Sequence, residues 1–209
     1  MYYYRCMQCG FIFTTVCDSW REQDFSELIY NKEYIDYDPD YVLERPKANA
    51  SFIRNLHLSV NLEMLDFGCG NGAMLHLLRQ SGYKVDGYDS FDTKYKSKPN
   101  KKYDFIMSFE VIEHTHMPFQ THQEMLGLLR SNGLALFSTL LLPSNIQDIG
   151  INWWYIAPRN GHISIHTAQS LSILTKRVNA DYAFLSLNQG LHLVYNSKTP
   201  PPFLEFVYC

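Results

Sequence analysis

Nothing in this sequence is apolar over a length that could cross a membrane as a helix. The longest apolar run, 134–142, is broken by Ser138 and Thr139, and a span needs about 20 residues. No basic start leads into an apolar core at the N-terminus, so no secretory leader is expected and a cytoplasmic location is. Positive charge is not in excess either: 18 Lys and Arg stand against 21 Asp and Glu, a net charge of −3. That argues against a partner held by counterion release, so neither nucleic acid nor membrane is expected as a partner. The one basic cluster, Lys94, Lys96, Lys98, Lys101 and Lys102, lies beside Pro99 and Asn100 and reads as a solvated loop. Cysteine is scarce and odd in number: Cys6, Cys9, Cys17, Cys69 and Cys209. Without a leader, that count argues against a disulfide framework. Internal repeats and low-complexity tracts are absent.

What the chain does have is aromatic surface. Phe, Trp and Tyr make up 15% of it, with 15 Tyr and 13 Phe. Flat faces suit the holding of a ligand, although a Tyr-rich surface without a ligand is also open. The 209 residues suit one α/β domain with a small appendage. The division falls near Arg45-Pro46, giving an N-terminal Cys/Tyr-rich segment, 1–45, and a main domain, 46–209.

Within the main domain a strand–helix alternation begins. Ala50, Ile53 and Leu56 fall at helical spacing over 47–58. Strands are expected at 62–67, 84–88, 103–109 and 134–141. Helices are expected at 73–80, at 119–130 with an end near Asn132-Gly133, and at 167–178. Such alternation implies parallel strands joined by right-handed crossovers. The stretch 182–196 reads as two strands turning at Asn188-Gln189-Gly190, an antiparallel edge hairpin. The fold class is therefore α/β: a Rossmann-like, mostly parallel sheet with helices on both faces.

Leu65-Asp66-Phe67-Gly68-Cys69-Gly70-Asn71-Gly72 sits where the first of these strands turns into its helix. Glycines there allow unusual dihedrals and close approach of a ligand to the backbone. The next strand ends at Asp89, nineteen residues after Gly70. A carboxylate at that place can accept hydrogen bonds from ribose hydroxyls. The loop is G-x-G-x-G and not the G-x-G-x-x-G of dinucleotide sites, which opposes a nicotinamide cofactor.

Three blocks in order resemble the class I S-adenosylmethionine-dependent methyltransferases. They are the glycine loop, Val85-Asp86-Gly87-Tyr88-Asp89, and the stretch from Tyr103 through Ser108-Phe109-Glu110-Val111-Ile112-Glu113-His114 with Leu128-Leu129-Arg130-Ser131-Asn132-Gly133-Leu134. The resemblance implies S-adenosylmethionine as cofactor. It places Asp66, Gly68, Cys69 and Gly70 at the methionine part, Asp89 and Ser90 at the ribose, and Phe109 and Glu110 beside the methyl group. One departure stands out. Only thirteen residues separate Asp89 from Tyr103, where the family fits a further helix and strand with adenine contacts, so this crossover is trimmed.

Cys6-Met7-Gln8-Cys9-Gly10 has the form of a zinc knuckle. It resembles the second half of a zinc ribbon that precedes some small bacterial methyltransferases, with Tyr30 and Tyr34 as the Tyr-x-x-x-Tyr that follows. No second C-x-x-C exists, so four ligands are not assembled and no metal is expected.

The loop after Leu142 carries Trp153, Trp154, Tyr155, Arg159, Gly161 and His162. Long loops in compact domains are usually functional, and this one emerges where ligands of open parallel sheets bind. His162 is the expected general base or hydrogen-bond partner of a methyl acceptor, with Tyr155 and Glu110 as the other catalytic candidates. Tyr34 stands next in line, and His166 is expected to be structural. The opposing reading has Trp153 and Trp154 filling the core and His162 capping a turn. The expected function is methyl transfer to a small molecule: a sugar, a quinone-like ring or another metabolite. Two alternatives stand: a non-catalytic cofactor-binding module of the same fold, and a nicotinamide-dependent oxidoreductase.

Overall fold

The computed structural model describes residues 1–207, so Cys209 lies outside the described residues. In chain order the elements are β1 (Tyr4–Arg5), β2 (Ile12–Phe13), α1 (Glu22–Leu28), α2 (Tyr34–Tyr37), α3 (Glu44–Asn55), β3 (Glu63–Phe67), α4 (Ala73–Gln80), β4 (Lys84–Tyr88), β5 (Tyr103–Ser108), α5 (Pro118–Gly127), β6 (Leu129–Ser138), α6 (Ile146–Ile149), β7 (Ser164–Ile165), α7 (Ala168–Val178), β8 (Tyr182–Ser186) and β9 (Leu191–Asn196).

Alternation along the strands builds two cores. Successive side chains of a strand point to opposite faces. Met64, Phe105, Met107, Leu134 and Leu136 therefore meet Ala50 and Ile53 of α3 and Met74, Leu75 and Leu78 of α4 on one face. Leu65, Ile106, Ala135 and Phe137 meet Met125 and Leu126 of α5 and Leu171 of α7 on the other. The sheet runs β4-β3-β5-β6-β9-β8. Its first four strands are parallel, and β9 and β8 close it with antiparallel pairing. This is the mostly parallel α/β sheet with an antiparallel edge hairpin that the sequence predicts. No helix or strand occupies 89–102, which leaves β4 at the sheet edge.

Several boundaries differ from expectation, and the helix expected over 47–58 runs Glu44–Asn55 while the strand expected over 134–141 runs Leu129–Ser138. The break at Arg45-Pro46 falls inside the first turn of α3, which starts at Glu44. Proline is tolerated there because the N–H it lacks would have had no helical partner. The helix expected to reach Arg130 stops at Gly127, and β6 begins at Leu129. Leu129 pairs with Tyr103, and the register shifts before Phe105 meets Leu134. Gly133 serves that irregularity: a Cβ there would stand 3.0 Å from the Asp104 carbonyl oxygen.

The N-terminal segment is sewn to the long loop after β6. β1, β2 and β7 form a second, three-stranded sheet. Tyr3 Oη donates to the His162 carbonyl (2.9 Å). Thr167, which caps α7, also donates to the Cys9 carbonyl (2.6 Å). The expected boundary at residue 45 thus separates two stretches that share hydrogen bonds and apolar contacts. Four of the five basic-loop lysines face carboxylates or a backbone carbonyl: Lys96 pairs with Glu22, Lys98 with Glu124, Lys101 with Glu63 and Asp86, and Lys102 reaches the Gly127 carbonyl.

Candidate active site

The turn from β3 into α4 needs three left-handed glycines. Gly68, Gly70 and Gly72 have φ of +82°, +52° and +77°, a region L side chains rarely adopt. The Gly70 N–H donates to Asp89 Oδ2 (2.8 Å), and Asp89 Oδ1 accepts from the N–H groups of Phe91 (2.8 Å) and Asp92 (3.2 Å). Asp89 therefore ties the glycine loop to the end of β4 and shapes the trimmed crossover. The Cys69 thiol is buried and pushed up by that burial and by Asp66. Ser90 follows, half-buried. Tyr41 of the N-terminal segment lies over the loop, its hydroxyl 3.5 Å from where a Cβ of Gly70 would be.

Asp66 lies beneath, fully buried, and burial with the nearby Asp89 charge pushes its carboxyl up to about 8. An acid that titrates higher when folded is held protonated by the fold. Stability is then full below its ordinary value of 3.8 and declines as pH rises toward 8. Asp66→Asn removes this ionisation. In urea unfolding across that window, the variant should gain on the parent as pH rises. A difference between the two that stays constant with pH would show that Asp66 ionises alike folded and unfolded.

A cavity of about 670 Å³ opens at the C-terminal ends of β5 and β6, lined among others by Arg45, Phe109, Glu110, Ser138, Tyr155 and His162. Ligands of parallel sheets bind at this edge. All three catalytic candidates meet here. Of the cofactor candidates, Phe109 and Glu110 line the cavity, whereas Asp66, Gly68, Cys69, Gly70, Asp89 and Ser90 gather at the neighbouring glycine loop. Glu110 has φ +55°, unusual outside glycine. Its N–H donates to Ser138 Oγ (2.9 Å), and Ser138 Oγ–H donates back to Glu110 Oε1 (3.1 Å).

Behind the cavity wall sits a buried carboxyl. Glu113 is fully buried. Tyr155 donates its hydroxyl to Glu113 Oε1, and Glu113 Oε2 has no partner. Burial, with Glu110 second, pushes the Glu113 carboxyl well up. His162 is 7% exposed, and its Nδ1 lies 2.8 Å from the Tyr155 carbonyl. A carbonyl can only accept, so Nδ1 carries the proton and Nε2 keeps a lone pair. Burial lowers the pKa of His162 and, more strongly, that of His114. The two rings meet edge to face at 4.8 Å, and His114 Nδ1 has no partner. Glu113, His114 and His162 each bring a donor atom within 4.8 Å of the others. Gly161 makes the room, since a Cβ there would stand 2.9 Å from His114 Nδ1.

The remaining loop residues divide. Trp154 is 71% exposed at the cavity mouth, while Tyr155 is buried and Trp153 half-buried. Arg159 is outside the cavity lining: it donates to the Ile29 carbonyl (2.9 Å) and stacks on Tyr37, which does line it. Tyr34 is buried but outside the cavity lining, its hydroxyl toward Asp38 (3.4 Å). His166 is fully buried, Nδ1 on Ser170 Oγ (3.2 Å). Cys17 packs with Phe25 and Ile29, away from Cys6 and Cys9. Among the described residues, no metal-capable group of three includes a cysteine. Sequence reasoning missed Ser138 and the forked Arg45–Asp38 pair (2.9 and 2.7 Å). Glu113 stands in the Glu-x-x-Glu-His string that follows β5.

No described helix is long and apolar enough to cross a membrane. Comparison with known proteins adds to this geometry. The ubiquinone biosynthesis O-methyltransferase of Rickettsia akari is 26% identical over 134 residues, 54% of this chain and 51% of that protein. That of Rickettsia canadensis is 25% identical over the same length. The chain spans about half the length of the curated relatives it matches. Among solved structures, it is similar to the 1,6-didemethyltoxoflavin-N1-methyltransferase of Burkholderia thailandensis, with bound 1,6-didemethyltoxoflavin and S-adenosylhomocysteine. That match has TM-score 0.58 and 13% identity, and covers 91% of this chain and 95% of that one. An O-methyltransferase family protein from the same organism gives TM-score 0.57 at 12% identity, over 82% of this chain and 61% of that one. Residues 39–183, which hold the glycine loop, Asp89, Glu110, Glu113 and His162, match the family described as "Methyltransferase domain", and the chain belongs to that family.

Proposed function

We propose that this protein transfers a methyl group from S-adenosylmethionine to a small-molecule acceptor bound in the cavity at the ends of β5 and β6. The observation that carries this reading is the placement of the Asp89-tied glycine loop beside a cavity walled by Glu110, Tyr155 and His162. The residues fit the cofactor. Gly68 and Gly70 offer bare backbone in the left-handed region, Asp89 holds its carboxylate at the loop, and Phe109-Glu110 border the cavity. When bound, S-adenosylmethionine supplies a methyl group already activated on a sulfonium. The protein's part is then alignment and the exclusion of water. Tyr155 closes the cavity wall, and His162 presents Nε2 to the acceptor's proton or hydroxyl. The names of the curated relatives support an oxygen acceptor on a quinone-like ring, with a sugar or another metabolite as further classes.

A second reading, a cofactor-binding module without turnover, draws on the missing crossover elements at 89–102 and on Tyr41 over Gly70. Formation of S-adenosylhomocysteine with a panel of hydroxylated rings and sugars separates the two. We read the Cys6–Cys9 turn as resembling the second half of a zinc ribbon, and the setting as cytoplasmic.

Asp89→Ala is expected to weaken S-adenosylmethionine binding by about 1–3 kcal/mol, the scale for losing a charged hydrogen-bonding partner. Calorimetry on folded variant protein checks this. Unchanged affinity would remove Asp89 from the ribose role.

A further inference from the structure

Glu113 is 0% exposed and sits behind the cavity with one oxygen, Oε2, lacking any partner. His114 beside it also has an unpartnered buried nitrogen, Nδ1. A buried polar atom without a partner forfeits its hydration for nothing, and native proteins seldom leave one so. Two of them, in adjacent residues and facing a third donor, point to an absent common partner. That third donor is His162, and the donor atoms of all three lie within 4.8 Å of one another.

We propose that Glu113, His114 and His162 bind a divalent cation of the zinc class. The donor set carries the choice of ion: two imidazoles and a carboxylate suit zinc and its neighbours, whereas magnesium and calcium favour all-oxygen shells. The supporting contacts are those of a built site. His162 donates Nδ1–H to the Tyr155 carbonyl (2.8 Å), which leaves Nε2 as the ligand atom. Tyr155 Oη–H donates to Glu113 Oε1, which leaves Oε2. Orientation of a ligand by a hydrogen bond on its other atom is the usual support of a metal site, and Glu113 and His162 both have it. Around zinc, donors sit at about 2.0–2.2 Å, so the three need to draw together by roughly an ångström. Three protein ligands and an open fourth position make a catalytic kind of site. Here His162 also lines the cavity, so the open position faces the place where the acceptor is proposed to bind. With Nε2 on the cation, the acceptor would meet the cation's open position in place of Nε2 itself; this role rests on the methyl-transfer reading, and the cation site does not.

The test is zinc binding by the full chain without S-adenosylmethionine. Protein stripped with a chelator is titrated with zinc, and bound metal per chain is read by elemental analysis after gel filtration. Cobalt in place of zinc reports the ligands by its visible absorption, which shows no thiolate charge-transfer band for this donor set. One zinc per chain is expected in the parent and in the Cys6→Ser/Cys9→Ser double variant. Tyr155→Phe keeps all three ligands and removes the hydroxyl that orients Glu113 and accepts from the Leu140 N–H, so it should bind about 10–100-fold more weakly, with folding checked by circular dichroism. Glu113→Gln and His162→Gln should lose more, with folding checked by circular dichroism. Should Glu113→Gln fail to fold, Tyr155→Phe and His162→Gln decide. No zinc in the stripped and refilled parent, or zinc that departs with Cys6 and Cys9 and survives His162→Gln, overturns the proposal. Cofactor affinity measured separately by calorimetry keeps the two readings apart: zinc without S-adenosylmethionine binding sinks the methyl-transfer reading alone.

Discussion

Gly68→Ala is expected to cost the protein about 2–5 kcal/mol of stability, seen as a lower urea midpoint with an unchanged slope. Two separate causes combine. At φ +82° an L side chain strains its own backbone by about 1–2 kcal/mol. The new Cβ would also stand 2.3 Å from Val111 Cγ2, and such overpacking typically costs about 1–3 kcal/mol. Val111 must give way or the loop must move. The causes can be split experimentally. In a Val111→Ala background the steric part disappears, so Gly68→Ala should then cost only about the 1–2 kcal/mol of backbone strain. The coupling in that double-mutant cycle measures the contact. Gly127→Ala is the control: it ends α5 with no positive φ, and a Cβ there meets nothing within 4 Å. That exchange should stabilise by about 0.4–1 kcal/mol by narrowing the unfolded ensemble. A Gly68→Ala protein as stable as the parent would show that the loop does not need glycine there.

How much of this could be seen beforehand follows from range. The strands and helices around the glycine loop are local: α4 at 73–80 and β4 at 84–88 have the bounds their apolar periodicity predicts. Asp89 could be picked out because its contact with Gly70 is set by one strand–turn–helix–strand unit. The end of α5 is set by the opposite: a long-range contact. Leu128, Leu129 and Arg130 continue a helical pattern, and only pairing with Tyr103 on β5 turns Leu129 into strand. The cluster of Glu113, His114 and His162 joins residues nearly fifty positions apart, and no periodicity links them. The hint lay in Glu113-His114 following a strand end, the same logic that singled out Glu110. The Arg45–Asp38 fork had no signal, because seven residues across a turn belong to no regular spacing.

His162→Ala should lower methyl-transfer turnover by about 10²–10⁴-fold, the range for losing a positioned proton-transfer group. S-adenosylmethionine affinity should stay nearly unchanged, because His162 lines the acceptor cavity and the glycine loop does not. Position is the motivation. The imidazole is 7% exposed, turned inward, and oriented by the Tyr155 carbonyl with Nε2 free. Its ring also packs on Tyr155 with centroids 4.3 Å apart, so a loss of rate in the alanine variant could come from a collapsed wall. His162→Phe tells these apart. Phenylalanine keeps a ring against Tyr155 and removes both nitrogens, so a packing role leaves that variant active and a chemical role leaves it as slow as alanine. Chelation then separates the two chemical roles, since one lone pair cannot both ligate a cation and take a proton. If Nε2 meets the acceptor directly, the stripped parent keeps its rate. If it holds the cation, the stripped parent falls to the rate of His162→Ala, and zinc restores the parent but not the variant.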